Sequence, residues 1–210
     1  MTIVEGPARA GLVARVRGIL LHPRSEWEAI DAEPATARGL FTGYACILAA
    51  IPAVAGFIGR QAFGVAARGA YYRAGPLAGL IEAVLLYILS LVSVFILALI
   101  IEALAPTFGG RRDRVSALKV SVYASTAGWV AGVFSLFPPI SILTVVGEIY
   151  GLYLLYLGLP RLMKAPPDRA LAYTVVTILA AIVLGLVVGL VLAALVAATV
   201  MGNAGLARTI

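Results

Sequence analysis

From Gly39 to Gly202 the chain alternates between long apolar runs and short polar gaps. Five runs stand out: Gly39 to Gly59, Ile81 to Ala105, Ser116 to Phe137, Ile140 to Leu159 and Tyr173 to Gly202. A hydrocarbon layer about 30 Å thick is crossed by about 20 mostly apolar residues at the helical rise. The pattern therefore predicts an all-α polytopic membrane protein with five transmembrane helices. Residues 1–38 precede them as a cytoplasmic or interfacial segment, 39–202 form the membrane domain, and 203–210 are a short tail.

The third and fourth runs are joined across Phe137-Pro138-Pro139-Ile140, which leaves room only for a tight antiparallel hairpin. Pro52 lies among Ala49, Ala50, Ala53, Ala55 and Gly56, a combination that predicts a kink and close approach of a neighbour. In the last run Ala181, Gly185, Gly189, Ala193 and Ala197 recur every fourth residue, so small side chains share one face. This face is the strongest packing signal in the chain and predicts close helix contact within the protomer or between protomers.

Before the first run, Leu12, Val13, Val16, Ile19 and Leu20 recur at helical spacing, with Arg15 and Arg17 among them. That suits a short amphipathic helix lying on the cytoplasmic face of the bilayer, ended by His22-Pro23. Ser25 to Glu28 reads as a capping box opening a second helix through Ile30, with Trp27 at the interface. The acidic run Glu26, Glu28, Asp31 and Glu33 reads as a solvated stretch that offsets the local arginines.

The composition agrees with a membrane setting: 62% of residues are hydrophobic and 12% charged, and mean hydropathy is +1.03. The net charge of +6 is spread between the runs as an orientation signal, with no basic stripe interleaved with aromatics that would bind nucleic acid. With the N-terminus cytoplasmic, twelve of the sixteen Lys and Arg residues fall on the cytoplasmic side and four on the other. The positive-inside rule then places the C-terminus on the non-cytoplasmic side. The single cysteine, Cys46, excludes an intramolecular disulfide.

Polar residues at membrane depth are the candidates for chemistry. Glu148 falls about halfway along the fourth run, where a carboxylate must be paired, hydrated or protonated. Two readings stand for it: proton, ion or polar-ligand handling, or a hydrogen bond that joins two helices. Tyr123, Thr126 and Trp129 of the third run and Tyr150 of the fourth complete this candidate site. Lys119 either snorkels or pairs with Glu102, which the topology puts on the same side. Arg15, Arg17, Arg111, Arg112 and Arg114 are candidate lipid-headgroup contacts. His22 is the only histidine, and no Gly-rich phosphate loop, G-x-S-x-G or H-E-x-x-H occurs. No catalytic residue, cofactor or metal ligand is assigned.

Three blocks carry a family resemblance. They are R-V-R-G-I-L-L-H-P-R-S-E-W-E-A-I-D-A-E with Y-A-C-I-L-A-A-I-P-A-V-A-G-F-I-G, then K-V-S-V-Y-A-S-T-A-G-W-V-A-G-V-F, then Y-G-L-Y-L-L-Y-L-G-L-P-R-L-M-K-A-P with A-Y-T. In this order they resemble bacterial members of the Yip (Ypt-interacting protein) domain family, from about Arg15 to Thr174. The resemblance implies five spans with a cytoplasmic N-terminus in a bacterial inner membrane. Eukaryotic relatives associate with Rab-type GTPases in vesicle traffic. The short N-terminal segment here does not carry that GTPase role over, and without catalytic motifs the leading reading is a non-enzymatic membrane protein that organises the bilayer or scaffolds other membrane proteins. The expected partners are the lipid bilayer, further copies of the chain and other membrane proteins. A small transporter or ion or proton channel, with its pathway between the third and fourth spans near Glu148, is the alternative.

Overall fold

Backbone amides inside a bilayer have no water to bind, so a spanning chain satisfies them within helices. The computed structural model describes residues 11–67, 70–72 and 75–206, with side chains for all of these except 65–72 and 195–206. Helices α1 (Leu12–Leu21) and α2 (Pro23–Ala32) come first. The first span is α3 (Ala37–Leu40), a π-helical turn (Phe41–Ala45) and α4 (Cys46–Phe63). A hairpin of β1 (Val65–Ala67) and β2 (Ala70–Tyr72), with Val65 opposite Tyr72, leads into α5 (Pro76–Leu104). After it come α6 (Arg114–Ala124), α7 (Thr126–Ala131), α8 (Leu143–Leu162) and α9 (Pro167–Leu206).

Four helices among the described residues are long and apolar enough to cross a membrane: Ala37–Phe63, Pro76–Phe108, Leu143–Leu162 and Pro167–Ala194. The expected third span is helical but not one helix. It breaks at Ser125 between α6 and α7 and tightens into 3-10 geometry over Gly132–Leu136. Ser121 Oγ donates to the Leu118 carbonyl and Ser125 Oγ to the Ser121 carbonyl, a back-bonding pattern that bends helices. The two prolines after Phe137 form a further 3-10 turn, and the chain returns in α8 beside α7, as the short connection requires.

At the other end, α2 starts at Pro23 rather than at a Ser25 cap. Proline at the first helical position lacks only an N–H that would have been unpaired anyway, and Ser25 Oγ donates back to the His22 carbonyl.

Glycines set the close contacts, and the closest are not on α9. A Cβ on Gly147 would lie 2.3 Å from the Ala131 Cβ and 2.7 Å from the Ala127 carbonyl oxygen, and one on Gly151 would lie 3.0 Å from the Ala124 oxygen. Gly132 receives Pro52 of the first span, and Gly59 faces the Ser135 carbonyl. On α9, by contrast, a Cβ on Gly185 or Gly189 would meet nothing within 4 Å. Ala181 is half-buried against the core, Gly185, Gly189 and Ala193 are exposed, and the side chain of Ala197 lies outside the described residues. The small-residue face of α9 thus makes no glycine-tight contact in the protomer. The tight glycine contacts belong instead to α8, which packs on α2, α6, α7 and α9.

Replacing Gly147 by Ala is expected to destabilise the protein by about 1–3 kcal/mol through overpacking against backbone. Gly189→Ala is expected to be neutral or to gain up to about 1 kcal/mol of helix propensity. Thermal or SDS unfolding of the purified variants in detergent checks both.

Candidate functional site

The richest polar cluster lies where α1, α2 and the start of the first span meet α6. Helical spacing puts Leu12, Arg15, Val16 and Ile19 on one face of α1, so the guanidinium enters the bundle with the apolar stripe. Arg15 is 3% exposed. Its Nη1 donates to Glu26 Oε1 at 2.5 Å, its Nη2 donates to Glu33, and its Cζ sits 5.7 Å from the centroid of the Tyr123 ring. Burial pulls the Arg15 pKa down most strongly, but the bond to Glu33 and the charges of Glu33 and Glu26 together hold it above its ordinary value.

Lys119, 7% exposed, reaches the same cluster from α6. Its Nζ donates to the carbonyls of Ile30 at 2.7 Å and Glu33 at 2.5 Å, the carbonyls that the end of α2 leaves unpaired. The π-helical turn, an insertion often found at functional positions, swings Tyr44 inward. Tyr44 Oη and Thr126 Oγ1 share a hydrogen bond at 2.9 Å, and the Tyr44 and Tyr123 rings meet edge to face with centroids 4.9 Å apart. These groups border a cleft of about 210 Å³ whose lining includes Arg15, Glu33, Gly43, Tyr44, Lys119 and Tyr123. Among the described residues, no group of three His, Cys, Asp or Glu could hold a metal ion.

Several expectations change. Arg15 does not face outward, because its two carboxylate partners hold it inside, whereas Arg17, Arg111, Arg112 and Arg114 are exposed. Trp27 is 1% exposed, not interfacial; its ring fills the notch left by Gly158. The acidic run is not simply solvated: Glu28 pairs with Arg161 at 2.9 Å and Asp31 with Lys164 at 2.6 Å.

The Glu102–Lys119 pair does not form. Glu102 takes Arg114 Nε at 2.8 Å and Arg112 Nε at 3.5 Å. Positions five apart on a helix point about 140° apart, so Arg114 and Lys119 cannot both face α5.

The set proposed around Glu148 is not assembled either. Thr126 bonds Tyr44, Trp129 Nε1 donates to Ser90 Oγ at 2.8 Å, and Tyr150 Oη donates to the Leu20 carbonyl at 2.9 Å. Each polar tip turns to the nearest acceptor across its own helix face, and Glu148 is left on a different one. It occupies the second turn of α8 rather than the middle, about 7.5 Å along the helix from Leu143 by helical rise.

Some of this was visible in the spacing. Arg15 is i+3 from Leu12 and i−4 from Ile19, and Glu26, Ile30 and Glu33 follow i, i+4, i+7, so a buried Arg facing two acids could have been read. The role of Lys119 could not, because its acceptors are backbone atoms some ninety positions earlier.

Arg15→Ala leaves Glu26 and Glu33 without their shared cation and is expected to cost about 3 kcal/mol, the range for breaking a buried pair from one side. Urea or SDS unfolding curves measure it. At the start of α6, Asp113 accepts from the Val115 and Ser116 amides and pairs with Arg111. Burial acts most strongly and upward on its pKa, yet the Arg111 bond and the two amides hold it below the ordinary aspartate value. A folded-state pKa below the unfolded one stabilises above the unfolded value, about pH 4, and that stability is lost as pH falls through the folded one. Asp113→Asn is therefore expected to flatten the acid limb of the stability profile below about pH 4.

The comparisons with known proteins fit this architecture. The model of the Yip1 domain matches residues 17–190. The inner membrane protein YohC of Escherichia coli K12 is 28% identical over 170 residues, which cover 79% of this chain and 87% of that protein. YohC from Escherichia coli O6:H1 matches to the same extent. No solved structure matches. With the matched stretch running from the first helix into α9, the chain belongs to the Yip1 domain family.

Proposed function

We propose that this protein is a non-enzymatic, multi-pass component of a bacterial inner membrane that organises the bilayer or scaffolds other membrane proteins. In this reading five spans cross the membrane, the broken α6–α7 segment being the third, with the N-terminus cytoplasmic and the C-terminus outside. The observation that carries it is how the polar groups at the cytoplasmic rim are used. Arg15, Lys119, Glu26, Glu28, Asp31 and Glu33 bond one another or the backbone and hold α1 and α2 onto the bundle. What this rim leaves outward are the exposed arginines Arg17, Arg111, Arg112 and Arg114, which outnumber the two acids they meet, Asp113 and Glu102, and suit anionic headgroups or an acidic partner. The inner-membrane location of the YohC relatives supports the setting.

Two measurements test the reading. A reporter that is active only outside the cytoplasm, fused after Ile210, is expected to be active. Inactivity would mean an even number of spans and would remove the proposed orientation. Neutralising Arg17, Arg111, Arg112 and Arg114 together with Gln is expected to reduce retention of anionic lipid, or yields of cross-linked partners, several-fold with insertion unchanged. Proton or cation flux into proteoliposomes that disappears in Glu148→Gln would replace the scaffold by a transporter.

A further inference from the structure

Glu148 stands apart from every pair described above. Together with Ser93, Val94 and Leu97 of α5, Ala124 and Ser125 at the break between α6 and α7, Gly151 and Leu155 of α8, and Ala181 and Gly185 of α9, it borders a second cavity of about 170 Å³. Its carboxylate rests on the notch of Gly128, where a Cβ would lie 2.4 Å from Oε1. Among the described residues, no protein cation or hydrogen-bond donor reaches it.

The chemistry of the lining is one-sided. The Ser93 hydroxyl proton is committed to the Leu89 carbonyl at 2.6 Å and the Ser125 proton to the Ser121 carbonyl at 2.9 Å. Both serines line the cavity, and with their protons committed these hydroxyls have only lone pairs to offer, as an ionised carboxylate does. The remaining lining residues carry no polar side chain. An occupant must bring donors and positive charge, and one carboxylate balances one charge. A bare metal ion of the hard class seeks about six oxygens, whereas three side-chain acceptors match the three donors of an alkylammonium. The leucines on the walls match its hydrocarbon.

We propose that this cavity binds an ammonium group carried on a short apolar body, with the cation against Glu148, Ser93 and Ser125 and the hydrocarbon along Leu97, Leu155 and Leu184. The site does not depend on the scaffold reading. It lies on the α5, α8 and α9 side of the break, away from the Tyr44–Thr126 bond.

Hexylammonium chloride titrated calorimetrically into the full chain in detergent tests it. Hexanol and sodium chloride are the comparison titrants, and circular dichroism verifies each variant's fold. Wild type is expected to show saturable one-to-one binding of the amine and none of hexanol. Glu148→Gln is expected to weaken it at least tenfold. Gly128→Ala keeps the charge but pushes the flexible carboxylate off its notch, and is expected to weaken binding several-fold. Equal binding to wild type and Glu148→Gln, equal binding of hexanol, or no saturable binding to folded wild type overturns the proposal. Sodium binding without amine binding also overturns it.

Discussion

The near contact of α7 and α8 is the constraint on which the rest of the bundle depends. Lipid tails are as apolar as leucine, so spans associate through backbone proximity and dispersion more than through burial from water. Gly147 and Gly151 supply that proximity, with Ala131, Ala127 and the Ala124 carbonyl against them. Once this pair is formed, Pro52 seats on Gly132 and draws the first span onto the opposite side of α7. The cost is a discontinuous α6–α7 segment, whose backbone must bend at Ser125 to follow its partner.

The end of the bundle that carries α1 and α2 is organised by charge where the interior is organised by shape. Helix α2 and the Glu33 that follows it carry four acids, and each has a basic partner on another element: Arg15 on α1, Arg161 on α8 and Lys164 just beyond it. Lys119 closes the end of the same helix. A buried pair adds little net stability, because desolvation offsets attraction, but losing one member is costly. Such pairs therefore specify where α1 and α2 dock more than how strongly. The wedge of Trp27 in the Gly158 notch and the buried Ile19 and Ile30 supply the apolar share of that docking.

Polar residues in the membrane domain follow two rules. Tyr44, Thr126, Trp129 and Tyr150 each satisfy themselves within the protein and turn inward. Glu148 does neither. It sits over a glycine in a cavity whose other polar atoms are acceptors, so its surroundings give the charge no compensation of their own. Glu148 lies in the second turn of α8, and its chemistry follows from the acceptors that border the same cavity.

What the sequence alone determined were the properties that sum over many residues. The length and apolarity of the runs decide that the chain lives in a membrane, because transfer energies add along a helix. The two prolines after Phe137 decide that α7 and α8 are neighbours, since so short a link cannot reach further. Only the tertiary structure decided the pairwise choices. It settled whether Glu102 meets Lys119 or Arg114, which depends on helix rotation. It also settled which glycines touch a partner: those of α9 repeat regularly yet stay open, whereas Gly147, Gly151 and Gly158 are in contact. Periodicity records which residues share a face, but a face becomes an interface only when another helix is placed against it.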